Sequence, residues 1–267
     1  MFASQNRGQR PGIVFRGYLT LAWTFLSTGV YSLGCIAVSL FSRKAGYAIG
    51  KLWSRQILAV GGVTLNVRGL ENIAPHTKYS VLGNHQSNLD IQSLISVTPL
   101  YLYFMAKKEL FSIPFLGWGI RALGHFAIDR SNARKTFMTF SEAAERLKRT
   151  PHMSMVLFPE GTRSADGTLG EFKQGSFTVV LEAGLPILPV VIQGAREVLP
   201  KESLLVRPGT IAITFLKPID ISRWPANDKA GLVQHVREAI RAFLEEPGAE
   251  VHAGQSPQGA GQPALGA

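Results

Sequence analysis

From Gly17 to Phe41 the chain reads GYLTLAWTFLSTGVYSLGCIAVSLF, with Arg16 on one side and Arg43-Lys44 on the other and no charge between them. Two environments accept such a run: the hydrocarbon of a membrane, whose thickness takes about 20 apolar residues as a helix, or a protein core. It is too long for the apolar centre of a signal peptide, and no small-residue cleavage site follows it. Basic residues flank both ends (Arg7, Arg10, Arg16, then Arg43, Lys44, Lys51, Arg55), so charge asymmetry selects no orientation across a bilayer. The run is therefore expected to form a membrane-associated helix, with a buried core helix as the alternative.

The next segment, Ala45–Val60, changes character. Ile49, Leu52, Trp53, Ile57 and Val60 recur at helical spacing, while Lys51 and Arg55 share another face. An apolar face with a Trp and a basic edge suits a helix lying in the membrane interface; a helix packed on its own domain has the same pattern. After Gly61-Gly62 the chain alternates. Short β-rich runs fall at Thr64–Val67, Tyr79–Leu82, Leu100–Met105, His125–Ile128, Met153–Phe158, Ile187–Ile192 and Thr210–Leu216. Helical stretches fall at Ile91–Val97, Ala133–Arg149, Gly175–Glu182 and Lys229–Glu246. Strands alternating with helices predict an α/β fold with a mainly parallel or mixed sheet covered by helices. The expected organisation is a membrane-anchoring helical segment over residues 1–60, a catalytic α/β domain over 61–246 and a disordered tail over 247–267, where periodicity ends.

The chain carries 28 Lys+Arg against 18 Asp+Glu, a formal net charge of +10. That excess favours anionic partners: a lipid surface, a phosphorylated substrate or nucleic acid. No nucleic-acid motif accompanies it, so membrane and phosphate account for it better. Cys35 is the single cysteine, which excludes an intrachain disulfide. No Cys/His cluster has metal-ligand spacing, and neither a phosphate loop nor a dinucleotide fingerprint is present.

Two loops carry the candidate chemistry. Behind the run Tyr79–Leu82 comes Gly83-Asn84-His85-Gln86-Ser87-Asn88-Leu89-Asp90. Residues five apart on one helix point about 140° away from each other. His85 and Asp90 can therefore meet only if His85 lies in the loop and Asp90 in the first turn of the helix. Asp90 also suits the acidic position of a capping box opened by Ser87, so a base with its orienting acid and a plain helix start are both consistent with the spacing. Ser87 lies in no G-x-S-x-G elbow, which argues against a serine nucleophile. Asn84 suits a loop-shaping role, and His125, inside a strand-like run, a structural one. The second loop, Pro159-Glu160-Gly161-Thr162-Arg163, ends the run Met153–Phe158. Gly161 admits a close backbone approach to an anion, and the Arg163 guanidinium matches phosphate oxygens.

Asn84-His85-x-x-x-x-Asp90 and Phe158-Pro159-Glu160-Gly161-Thr162-Arg163-Ser164 resemble the first and third signature blocks of the glycerolipid acyltransferases. Gly124-His125-Phe126-Ala127-Ile128-Asp129-Arg130 resembles the second block and Ile187-Leu188-Pro189-Val190-Val191-Ile192 the fourth, in the expected order. Ala106-Lys107-Lys108-Glu109-Leu110, Pro114-Phe115-Leu116-Gly117-Trp118 and Phe172-Lys173-Gln174-Gly175-Ser176 also match the family's wording. Ala127 departs from it, since a bulkier apolar residue is usual there.

The resemblance, nearest to members that acylate 1-acyl-sn-glycerol-3-phosphate, implies a reaction. His85 would take the proton of the free hydroxyl of lysophosphatidate as it attacks an acyl thioester, and Asp90 would orient the imidazole. Glu160, Gly161, Thr162 and Arg163, with Lys107 and Arg130, would bind the acceptor's glycerol phosphate. Acyl-CoA or acyl-acyl carrier protein would be the co-substrate, with no cofactor or metal. The implied setting is a membrane, the bacterial inner membrane, with the site facing the cytoplasm. Other readings are an O-acyltransferase for a different lyso-lipid such as lyso-ornithine lipid, a serine hydrolase, and a non-catalytic lipid-binding protein.

Overall fold

The structure, a computed structural model, describes residues 11–129, 131–225 and 228–246. Arg130 and the expected tail over 247–267 lie outside the described residues. Two long helices come first, α1 (Pro11–Ser39) and α2 (Arg43–Gly61). The order then runs β1 (Val63–Arg68), β2 (Ser80–Gly83), α3 (Leu89–Val97), β3 (Tyr101–Lys107), α4 (Leu116–Ala122) and β4 (Phe126–Ile128). It continues with α5 (Ala133–Arg149), β5 (Met153–Leu157), α6 (Gln174–Ala183), β6 (Ile187–Gln193), α7 (Ala195–Val198), β7 (Gly209–Phe215) and α8 (Lys229–Glu245).

The seven strands form one sheet in the order β1-β7-β6-β2-β5-β3-β4. Every neighbouring pair is parallel except β6 with β7. The central strands β2, β5 and β6 are buried on both faces, as their near-continuous apolar sequences require. Edge strand β1 alternates between half-buried and exposed residues. One face of the sheet packs a core around Phe140, Leu147, Phe177, Val180, Leu232 and Val236 from α5, α6 and α8. The other packs Tyr47, Ile57 and Leu58 of α2 with Leu89 and Leu94 of α3.

That second core settles the reading of α2. Tyr47, Ile57 and Leu58 are inside the domain while Leu52 stays exposed, and the basic edge docks on the end of α3: Lys51 Nζ donates to Thr98 O (2.8 Å) and Arg55 Nε to Ser96 O (3.2 Å). Cations there meet the helix's last free carbonyls and its negative dipole end. Helix α2 is thus a layer of the α/β domain, and α1 packs on α2 and α4. Arg16 fastens α1 to the end of α2 through Val60 O (2.8 Å) and Ala59 O (3.2 Å). Short helices α4 and α7, each a turn or two, have too little periodicity to be read from the sequence.

His125 is structural. It is half-buried, its Nδ1 accepts the Phe104 backbone N–H (3.1 Å), and Tyr103 and Phe104 meet its ring edge-on. Burial first, and the Arg146 guanidinium second, push its pKa down from 6.5 to about 4. Between those values the unfolded chain binds the proton that the folded one refuses, so stability falls as pH drops through that window, by about 3 kcal/mol at most. Denaturant unfolding at neutral and at acid pH should show this loss, and His125→Gln should reduce it. An acid limb of unchanged slope in the variant would assign the loss to other groups.

Candidate active site

The parallel order places the ends of β2 and β5 side by side at one edge of the sheet, where open α/β sheets bind ligands. Beyond Gly83 the chain turns away from β6, and the Asn84 side chain completes the ladder in its place. Its Nδ2 donates to Ile192 O (2.7 Å) and its Oδ1 accepts Ile192 N–H (2.8 Å). The next three backbone N–H groups all go to carboxylates. His85 donates to Glu160 Oε1 (2.8 Å), while Gln86 (2.8 Å) and Ser87 (2.9 Å) donate to Asp90 Oδ2.

Asp90, fully buried in the first turn of α3, also bonds His85 Nδ1 through Oδ2 at 2.7 Å. It reaches back to Ser87 as a capping-box acid does and holds the imidazole too, so the two roles proposed from the sequence coexist. Charge-assisted bonds of this kind are the strong ones. Ser87 Oγ donates to Leu199 O (2.8 Å) and accepts the Leu89 N–H (3.2 Å), and the residue is fully buried. It is a brace for the loop and is not presented as a nucleophile.

The β5 loop grips the same histidine from the other side. The Phe158 ring stacks on the imidazole at 4.1 Å and 12°, and Ser164 N–H donates to His85 O (2.8 Å). Glu160 is nearly enclosed, and its second oxygen accepts Gly170 N–H (3.3 Å). Burial raises its pKa, and the His85 and Gly170 amides partly counter that. Both its oxygens serve the backbone, and it does not line the cavity described next. The resemblance implies Glu160 as a substrate ligand; in the structure its two oxygens accept the backbone N–H groups of His85 and Gly170.

A cavity of about 970 Å³ opens beside His85. Its polar lining includes Asn88, Lys107, Gly161, Thr162, Arg163, Lys173, Ser176 and Lys201, and its apolar lining Ile91, Phe104, Ile128, Phe140 and Phe158. No Asp or Glu is among the described lining residues. Gly161, Thr162, Arg163 and Lys107 thus share one cavity with the histidine. Lys107 is exposed and stands 3.7 Å from Glu109. Ala127 is exposed on β4 while its neighbour Ile128 lines the cavity, so the departure there leaves the wall of the site intact. Lys201 was missed by sequence reasoning. Lys173 stands in the sequence only as part of the Phe172–Ser176 stretch that resembles the family. Among the described residues no group of three or more His, Cys, Asp or Glu side chains stands together as metal ligands would.

A family model described as Acyltransferase matches residues 64–193. A chloroplastic 1-acyl-sn-glycerol-3-phosphate acyltransferase of Arabidopsis thaliana is 34% identical over 217 residues, 79% of this chain and 60% of that one. The alpha form of the same enzyme from Mus musculus is 30% identical over 209 residues, 76% of this chain and 73% of that one. The crystal structure of the 1-acyl-sn-glycerophosphate acyltransferase PlsC from Thermotoga maritima superposes with a TM-score of 0.72 at 26% identity, covering 89% of this chain and 99% of that one. The chain belongs to the acyltransferase family that contains the 1-acyl-sn-glycerol-3-phosphate acyltransferases. It spans about 60% of the length of the Arabidopsis relative.

Removing the imidazole tests the centre. His85→Ala should lower kcat by at least about 10²-fold, the scale of a lost general base, with cooperative unfolding retained. Asp90→Asn keeps an oxygen for the Gln86 and Ser87 amides and loses the charge behind the imidazole, so turnover should fall similarly while the melting temperature moves little. A lowered melting temperature with turnover preserved would make Asp90 a helix cap only.

Proposed function

We propose that this protein transfers an acyl group from a thioester donor, acyl-CoA or acyl-acyl carrier protein, to the free hydroxyl of 1-acyl-sn-glycerol-3-phosphate, giving phosphatidate for phospholipid synthesis. The observation that carries this reading is a His85–Asp90 pair at 2.7 Å, opening on a cavity whose charged lining, among the described residues, is cationic. With Nδ1 held by Asp90, Nε2 is the nitrogen left for the substrate. It takes the hydroxyl proton as the oxygen attacks the thioester carbonyl carbon. When the tetrahedral intermediate collapses, the C–S bond breaks and the imidazolium returns the proton to the thiolate. Asp90 stays ionised and stabilises the imidazolium, as in a hydrolase triad, with the substrate hydroxyl in the serine's place. No covalent acyl-enzyme and no cofactor are required.

Gly161, Thr162, Arg163 and Lys107 bind the acceptor's glycerol phosphate in this reading, and Arg130, in the second signature block, is a further candidate. A cavity with cations and, among the described residues, no carboxylate favours a phosphate over the zwitterionic head of a lyso-ornithine lipid. Lys at position 163 keeps the charge and loses the bidentate fork. Arg163→Lys should therefore raise the acceptor KM by the equivalent of about 1.5–3 kcal/mol and leave the donor KM in place. A rise confined to the donor would exchange the two binding sites.

The same reading places the protein on a membrane surface. Helix α1 is packed inside out. Its buried residues are Gly17, Thr20, Ser27, Ser32 and Cys35, while Phe25 and Leu26 are each 72% exposed and Tyr18, Leu19, Val30 and Leu33 face outward with them. A helix of a water-soluble domain does the reverse. The hydroxyls of Thr20, Thr24 and Thr28 are satisfied by carbonyls one turn back, so the row that carries them asks for no other partner. Each large side chain on it contributes on the order of 1.5–3 kcal/mol when it leaves water.

The apolar surface continues toward the site. Phe115 meets Gly29 of α1 (4.0 Å to an added Cβ) and Trp118 meets the Phe115 ring edge-on at 5.0 Å. Leu110 and Phe137, both exposed, lie on the cavity wall itself. Because α1 lies along α2, it is seated in one leaflet by its outer face, and the lyso-lipid's chain reaches the cavity along this surface. A high-salt wash should leave the protein in the membrane fraction, because screening does not weaken apolar burial. The double variant Phe25→Asp, Leu26→Asp should shift it toward the supernatant. Release of the unsubstituted protein by salt alone would mean that charge holds it there.

A further inference from the structure

Lys201 lies in the loop between α7 and β7, beyond the stretch that the family model matches, yet it lines the cavity with His85. It is locked to Arg163 in both directions. Lys201 Nζ donates to Arg163 O (2.9 Å), and Arg163 Nη1 donates to Lys201 O (2.9 Å). Each cation thus fixes the other's backbone, at |i−j| = 38. Each keeps donors unused by the clamp, because an ammonium has three and a guanidinium five. Both side chains are half-buried.

Lys173 approaches from the start of α6. Its Nζ would stand 2.9 Å from a Cβ added to Gly161, so the missing side chain at 161 is what leaves room for this ammonium. Among the described residues no carboxylate lies within ion-pair distance of Arg163, Lys173 or Lys201. Cations gathered without counter-charge in a partly enclosed cavity repel one another, and a ligand of about two negative charges relieves that more than a ligand of one. A phosphomonoester carries about −1.5 to −2 at neutral pH. A phosphodiester carries one charge and a larger substituent.

We propose that Lys201 and Lys173 complete with Arg163 the seat for the acceptor's phosphomonoester dianion and set the preference for it over phosphodiester and neutral lyso-lipids. This rests on the reading that Arg163 faces the acceptor. The test uses the full-length enzyme with lysophosphatidate, lysophosphatidylglycerol and monoacylglycerol as acceptors, varying acceptor and donor separately. Lys201→Met should raise the KM for lysophosphatidate about tenfold or more, the equivalent of one charge-assisted bond. The kcat and the donor KM should stay near their starting values. The ratio of kcat/KM for lysophosphatidate over lysophosphatidylglycerol should fall by a similar factor. Lys201→Arg, which restores a cation at that place, should recover most of the loss, and Lys173→Met should act in the same direction.

Equal losses with all three acceptors, or a rise in the donor KM, would overturn the assignment and leave Lys201 a brace for the loop. An unsubstituted enzyme indifferent to the acceptor's phosphate would overturn it too. If Arg163→Lys raises the acceptor KM and neither lysine variant does, this inference alone fails. If Arg163→Lys moves only the donor KM, the placing of the acceptor has failed first.

Discussion

One carboxylate oxygen holds the site together. Oδ2 of Asp90 accepts from the His85 ring and from the backbone of Gln86 and Ser87, inside a fully buried residue. A carboxylate taken out of water is costly unless such bonds replace its hydration, and here all of them converge on the loop that carries the histidine. The turn after β2, the first turn of α3 and the direction of the imidazole are therefore one arrangement. Glu160 extends it by taking the preceding N–H, so three consecutive amides, from His85 to Ser87, end on two acids from different parts of the chain. The loop is a concavity of N–H groups of the kind that binds anions, filled by the protein's own carboxylates.

That arrangement is possible because the sheet is parallel where it matters. Strand β2 is central, with β5 on one side and β6 on the other, all three running the same way. Their loops leave at the same edge. The β6 side receives Asn84, and the β5 side supplies Phe158, Glu160 and the Ser164 amide. The histidine, which lines the cavity, is thus held by its ring face, its Nδ1 and both its backbone groups. Preorganisation of this kind is what the general base proposed at this position would need, since it would not have to be positioned anew in each turnover.

The helices divide their labour in a way the hydropathy of each helix alone does not show. The longest apolar run, α1, is the helix with its small and hydroxyl-bearing residues inside, and the amphipathic α2 is the one whose large residues reach the core. Lys51 and Arg55, which suggest a lipid surface when read along the sequence, cap α3 instead. The cations that line the cavity beside His85 are others: Lys107, Arg163, Lys173 and Lys201.

The sequence by itself determined the seven strands, the main helices of the α/β domain and the two loops that bear the chemistry. Those signals are local: a strand buried on both faces must be apolar throughout, and a histidine and an aspartate five positions apart across a helix start can reach each other with little choice. It also carried Gly161, Thr162, Arg163 and Lys107 into one cavity. The tertiary structure decided what a single stretch cannot hold. Glu160 reads as a ligand in its loop and becomes a backbone acceptor only because β5 lies beside β2. Lys201 has no motif around it and enters the site only because the loop before β7 folds back on Arg163. The two possible surroundings of α2 share one hydrophobic pattern, and packing on α3 and the sheet chose between them. An apolar residue's fate follows from its own burial, whereas a charged residue's role is set by partners that the chain brings close only when it folds.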